Sequence, residues 1–253
     1  MPSLVLVAAT GGAIGLLIGF FGVGGSSIAT PLLSLIGVPP LIAVASPLPA
    51  TIPAAAIAAI PYFRHGEARL KAAAWTLAGA VPASIAGALA SRVVGGAVLL
   101  VASGIVLSIV GVRVALPIAQ SVRDIGAQRR LRRPLLVMAS AGVGLFTGLL
   151  ANGGGFLLVP LYLLVFGLRM RQAAGTSLLV ISVLALPTLA THWALGHVDW
   201  AVAASFGAGL MPTSAIGSSL AHRIEGPTLR RWFGVFLVVF GTGFTGYRSF
   251  FVG

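Results

Sequence analysis

Apolar runs separated by short stretches rich in Arg, Gly and Pro make up almost the whole chain. In the first half they fall at about Leu4–Phe21, Ser27–Ile36, Leu41–Tyr62, Leu70–Ala90 and Gly96–Leu116. In the second half they fall at about Pro134–Ala151, Phe156–Phe166, Ala173–Ala194, Trp200–Ala221 and Thr228–Phe250. A straight helix needs about 20 residues to cross a bilayer. The second and seventh runs are too short for that and predict half-helices or limbs of a broken hairpin.

The pattern occurs twice. GLLIGFFGVGGSSIATP at Gly15–Pro31 is echoed by GLFTGLLANGGGFLLVP at Gly144–Pro160, an offset of 129 residues. Further on the offset becomes 130: Gly66 meets Gly196, Gly79 meets Gly209, Pro82 meets Pro212, Ser84 meets Ser214, and Gly111 meets Gly241. The matches run from end to end. The fold class expected is an all-α polytopic membrane helix bundle with two repeats of about five hydrophobic segments. Repeat one spans about residues 4–116, a basic linker 117–133, and repeat two about 134–250, all within one transmembrane domain.

Charge fixes how the repeats relate. Charged residues are only 8% of the chain against 58% hydrophobic, so lipid must be the solvent for much of the surface. The net charge of +12 comes from Arg between the apolar runs, which is where the positive-inside rule puts it and not a nucleic-acid footprint. Let every segment change sides and place the Arg-rich linker in the cytoplasm. Arg64, Arg69, Lys71, Arg169, Arg171, Arg223, Arg230 and Arg231 then all fall on the cytoplasmic side. Counting each glycine-broken pair as one crossing puts five of these outside. An odd count per half makes the repeats inverted, with both termini outward. Cysteine is absent, which removes disulfides and thiolate chemistry, and no basic residue precedes the first apolar run as a signal peptide would require.

A helix interrupted inside a membrane exposes backbone N–H groups without intrahelical partners, and the following half-helix carries a partial positive charge at its start. Together they attract an anion without a buried cation. Gly24, Gly25, Ser26 and Ser27 fit this role in the first copy, and Asn152, Gly153, Gly154 and Gly155 in the second. The glycines spaced by four at Gly11, Gly15, Gly19, Gly144 and Gly148 read instead as close helix packing. Ser46, Thr51, Thr176 and Ser177 follow the breaks; they face the glycine loops across a cavity or bond local carbonyls, and the sequence leaves both readings open. The Ser46–Pro53 stretch, with three prolines, predicts an irregular helix. The four acids lie in expected loops, so no intramembrane carboxylate relay is available. His192 is the histidine expected inside a span, with a candidate proton-coupling role.

The paired glycine motifs, the Ala174–Ser177 run and the Gly196–Trp200 turn together resemble the TauE/SafE family of sulfite and organosulfur anion exporters, from about Gly11 to Gly246. The resemblance implies a multi-pass protein of the bacterial inner membrane that moves small anions such as sulfite or sulfonates, with the lipid bilayer and the anion as its partners and with no cofactor. The copies differ: Val23 stands where the second has Asn152, and Ser46-Pro47 where it has Thr176-Ser177. A passive anion channel is a variant of this reading. An intramembrane hydrolase lacks a Gly-x-Ser-x-Gly context, a metalloprotease lacks His-Glu-x-x-His, and a dinucleotide loop at Gly22-x-Gly24 lacks a βαβ setting. No enzyme is expected.

Overall fold

The structure, a computed structural model, describes residues 3–90, 109, 111–114, 132–149, 155–194 and 196–251. The described residues form an all-α polytopic membrane bundle. Its helices are α1 (Leu4–Phe21), α2 (Ser26–Leu35), α3 (Pro40–Ala45), α4 (Leu48–Arg64) and α5 (Leu70–Ala90), then α6 (Arg132–Leu149), α7 (Gly155–Pro160), α8 (Met170–Ala194), α9 (Trp200–Ala221) and α10 (Gly226–Phe251). A π-helical turn, Leu161–Val165, continues α7. By length and apolarity, the stretches Leu4–Phe21, Ile42–Arg64 and Met170–Ala194 can each cross a membrane. Most of the linker and most of the fifth predicted segment lie outside the described residues.

Local chemistry explains the ends. Ser3 caps α1 by accepting from the Leu6 N–H. Gly22 stops α1 in a left-handed conformation at φ 73°, its N–H donating to the Ile18 carbonyl. The proline-rich stretch is less irregular than expected. The chain breaks only at Ser46-Pro47, and α4 then runs through Pro53 and Pro61. Pro49 falls in its first turn, where a missing N–H costs nothing.

Lipid supplies no hydrophobic drive between helices, so contact depends on how closely backbones approach. Two helix pairs achieve this in the same way. A Cβ on Gly11, Gly15 or Gly19 of α1 would strike the backbone of Phe206, Leu210 or Ser214 respectively. The contacts climb both helices together, so α1 and α9 run parallel. In the second pair, a Cβ on Gly79 of α5 would strike the Val137 carbonyl, and one on Gly144 of α6 the Ala80 carbonyl. That pair is also parallel, and its contacts repeat those of Gly209 with Ala8 and of Gly15 with Leu210 at the offsets read from the sequence. The packing role expected for Gly11, Gly15, Gly19 and Gly144 is what the structure contains.

Between these pairs, α4 and α8 run antiparallel. The Ser46 hydroxyl accepts from the Asp199 N–H (3.0 Å) at one end, and the Thr176 hydroxyl accepts from the Arg69 N–H (3.0 Å) at the other. Both partners of one bond are 130 residues from those of the other. The turns correspond as well: Gly66 (φ 67°) and Gly196 (φ 69°) each close on the carbonyl three residues back, Phe63 and Trp193.

The change of offset from 129 to 130 has a location. Pro31 and Pro160 still match at 129, whereas the left-handed glycines Gly37 and Gly167 match at 130. Between them, Ile36 N–H bonds four residues back to Leu32, while Phe166 N–H bonds five back to Leu161. The extra residue of the second copy is absorbed as one π turn directly after Pro160.

Candidate functional site

The first glycine cluster interrupts the helix as expected. α1 ends at Phe21, α2 begins at Ser26, and the residues between are buried. Gly22, absent from the candidate anion-site residues, is the residue that requires glycine. Its φ is positive, and a Cβ there would collide with the backbone of Ala174 in the second turn of α8. Gly25 has ordinary helical angles (φ −70°, ψ −31°) and forms the N-cap of α2. A Cβ at Gly25 would come 2.5 Å from the Ile18 Cδ1. Among the described residues, no acceptor is bonded to the N–H groups of Val23, Gly24 or Gly25. Buried amides are nearly always paired, so three together are unusual.

The opposite problem, orphaned carbonyls at the end of α1, is solved by Tyr62 of α4. Its hydroxyl donates to the Gly19 carbonyl at 2.9 Å, with Phe20 O at 3.4 Å. Tyr62 has no exposed surface, and a Cβ on Gly175 of α8 would approach its Cβ at 2.5 Å. The break is thus clamped between α4 and α8.

Of the hydroxyl residues, Ser177 belongs near this loop. It lies three positions after Ala174, on the same face of α8. Its side chain is wholly buried, and its Oγ has no partner. Thr176 is committed elsewhere, donating to Gln172 O (2.6 Å) while accepting from Arg69 N. Ser46 is held by Asp199, and Thr51 donates to its own helix at Pro47 O (2.8 Å). Ser46 and Thr176 sit at opposite ends of the α4–α8 pair. Eighteen helical residues from Thr176 to Ala194 span about 27 Å at about 1.5 Å each, so the structure does not bring these two hydroxyls to one point. Ser26 and Ser27 open α2, and Gly155 opens α7. Asn152, Gly153 and Gly154 lie outside the described residues. His192 is in the last turn of α8, its Nδ1 3.3 Å from the His197 Nδ1.

One cluster was not anticipated. At the end of the bundle where α4, α8 and α9 meet, the Glu67 carboxylate lies 3.0 Å from His222 Nε2 and 3.8 Å from Arg171 Nη1. Arg171 also donates to the carbonyls of His222 (3.1 Å) and Ile224 (2.7 Å). The His222 ring packs at a tilt against Tyr62 (centroids 4.7 Å apart) and His65 (4.5 Å). Glu67 and His222 are 155 residues apart, and no spacing in the sequence points to their meeting. These contacts also gather the turns bearing Arg64, Arg69, Arg169 and Arg223 at one end. The other end carries Trp193 and Trp200, both largely exposed, as in an interfacial aromatic belt.

Comparison with known proteins agrees with this architecture. The profile of the family described as "Sulfite exporter TauE/SafE" matches residues 7–244. A probable membrane transporter protein of Xylella fastidiosa (strain 9a5c) is 30% identical over 249 residues, covering 94% of this chain and 93% of its own. The probable membrane transporter protein YjnA of Bacillus subtilis (strain 168) is 26% identical over 224 residues, covering 84% and 88%. No solved structure matches the chain. A helical membrane bundle, a buried helix break and a family match over nearly the full length lead to one conclusion: the chain belongs to the TauE/SafE sulfite exporter family and is a membrane transporter.

Proposed function

We propose that this transporter exports small sulfur-containing anions, sulfite or a sulfonate, and holds them by main-chain N–H groups at the break between α1 and α2. The observation that carries the reading is the buried run Val23-Gly24-Gly25, whose amides have no protein acceptor among the described residues, at the N-terminus of α2. Amides in this arrangement offer an anion several short bonds and the positive end of a helix dipole. The unpartnered Ser177 hydroxyl, on the helix face that packs against Gly22, adds one donor. Gly153 and Gly154 are the corresponding residues of the second copy, with Asn152 adding a side-chain amide.

The same reading takes the two copies as inverted, with the arginine-rich end in the cytoplasm. The antiparallel α4–α8 pair and its matched terminal hydrogen bonds support the inversion. The gathering of Arg64, Arg69, Arg169, Arg171 and Arg223 at one end supports the orientation. The break at Gly22–Gly25 is narrow because α8 packs on Gly22 through backbone, so selection falls on small solutes.

Sulfite flux in proteoliposomes tests the site. Gly25→Val is expected to abolish flux while the protein still inserts, because the new side chain drives into Ile18 and Ile14 of α1 and displaces the loop whose amides hold the anion. Wild-type flux in Gly25→Val and Gly154→Val together removes the site from these loops. Flux that follows voltage without saturating makes the protein a channel instead of a carrier.

A further inference from the structure

We propose that Glu67 and His222 form a proton-binding site at the arginine-rich end of the bundle, and that the proton held there is coupled to anion movement past the Gly22–Gly25 break. This rests on the transport reading above. The geometry of His222 carries it. Its Nδ1 lies 2.7 Å from the Ser218 carbonyl, which only accepts, so that nitrogen carries a hydrogen. Its Nε2 lies 3.0 Å from a Glu67 oxygen. A ring protonated on Nδ1 alone would point a lone pair at a carboxylate, which is repulsive. The contact therefore needs one further proton between Nε2 and Glu67, carried as an N–H bond on the ring, imidazole being the more basic of the two groups. The proton comes from bulk water and returns to it.

The groups around the pair can sense that proton. Arg171 of α8 faces Glu67 at 3.8 Å. His65, whose Nδ1 lies 2.7 Å from the Pro61 carbonyl, stacks on His222 from the end of α4. Tyr62 also packs against the ring and reaches with its hydroxyl to Gly19, three residues before Gly22. Among the described residues, Arg64, Arg69, Arg169, Arg223 and Glu225 lie at this end without an ion pair to the cluster. Loss of the proton turns the Glu67–His222 contact from attraction to repulsion, and so loosens α9 from the α4–α5 turn. Tyr62 and the capped end of α1 lie directly against the group that moves. The matched position in the other copy is different: His197 stands for Glu67 and His192 for Tyr62, so the two ends of the bundle do not share this device.

Glu67→Gln separates proton binding from shape. The introduced amide donates to Nε2 without an added proton, so the contact persists and its pH sensitivity does not. Wild type, E67Q and H222Q would be reconstituted, and accumulation of labelled sulfite under an imposed pH gradient measured across pH. The wild type is expected to show a pH-dependent profile, and E67Q a flat profile with gradient-driven accumulation reduced about tenfold. H222Q guards against a folding defect in the first variant and is expected to lose the same gradient response. Nitrogen NMR of histidine-labelled, detergent-solubilised protein provides a readout independent of transport. A protonated Nε2 signal is expected in the wild type and absent from both variants. Absence of that signal in the wild type overturns the proton site. Undiminished gradient-driven accumulation by E67Q overturns the coupling. A wild type that moves no sulfite ends the transport reading and the coupling with it, while the NMR signal still decides whether the proton is bound.

Discussion

The two ends of the α4–α8 pair are built on one plan and finished differently. At one end Ser46 holds the amide that opens α9, at the other Thr176 holds the amide that opens α5, and both bonds are 3.0 Å long. The glycine turns beside them share one conformation. Beyond that frame the ends diverge. One carries Tyr62, Glu67, His222 and Arg171 in contact, and the other carries a pair of histidines, His192 and His197. The two ends share these main-chain bonds and differ in the side chains around them.

The largest effect that sharpens this comparison is expected at the break. Gly22→Ala combines a left-handed backbone with a Cβ driven into Ala174, and it should cost more than the ~1–3 kcal/mol of backbone strain alone. Folded yield after detergent extraction measures it; wild-type yield and melting would show that the loop can shift away from α8. Next come Tyr62→Phe and His192→Phe, at matched positions. The first leaves Gly19 O and Phe20 O without a donor and should cost about 1–3 kcal/mol. The second breaks one contact in a partly exposed turn and should cost less. Equal shifts in melting temperature would mean the ends are not specialised at this level.

Ser46→Ala and Thr176→Val test the shared frame. Each removes one hydrogen bond from a part-buried N–H, and each should lose a similar ~0.5–1.5 kcal/mol. A large loss from one and none from the other would break the equivalence. Effects no larger than these belong to Gly66→Ala and Gly196→Ala. Neither has a neighbour within 4 Å, so both meet only the penalty of positive φ, about 1 kcal/mol each.

What could be read from the sequence follows from how local each cause is. Adjacent glycines weaken a helix wherever they stand, so the interruption near Gly24 and the short α2 were visible. The glycines spaced by four were visible as a packing face for the same reason. Gly22 was not distinguished from Gly24 and Gly25, because its need for glycine arises from Ala174, more than 150 residues away. Ser46 and Thr176 looked alike as cavity hydroxyls. Only the antiparallel course of α4 and α8 sends them to opposite ends, each bonded to a helix opening in the other copy. The prolines near Ser46 promised more disruption than occurs, because Pro49 falls in a first turn. Glu67 and Arg171 read as isolated loop charges and nothing in the sequence marks His222; three turns from distant parts of the chain must converge before they become a cluster.

The most direct test of a main-chain anion site at the α1–α2 break is sulfite efflux from proteoliposomes carrying Gly25→Val, with Gly12→Ala as the control. A Cβ on Gly12 meets nothing closer than 3.8 Å. The expected result is normal efflux from the control and none from Gly25→Val at equal protein insertion. Equal efflux from both would contradict an anion held by the amides of Val23, Gly24 and Gly25.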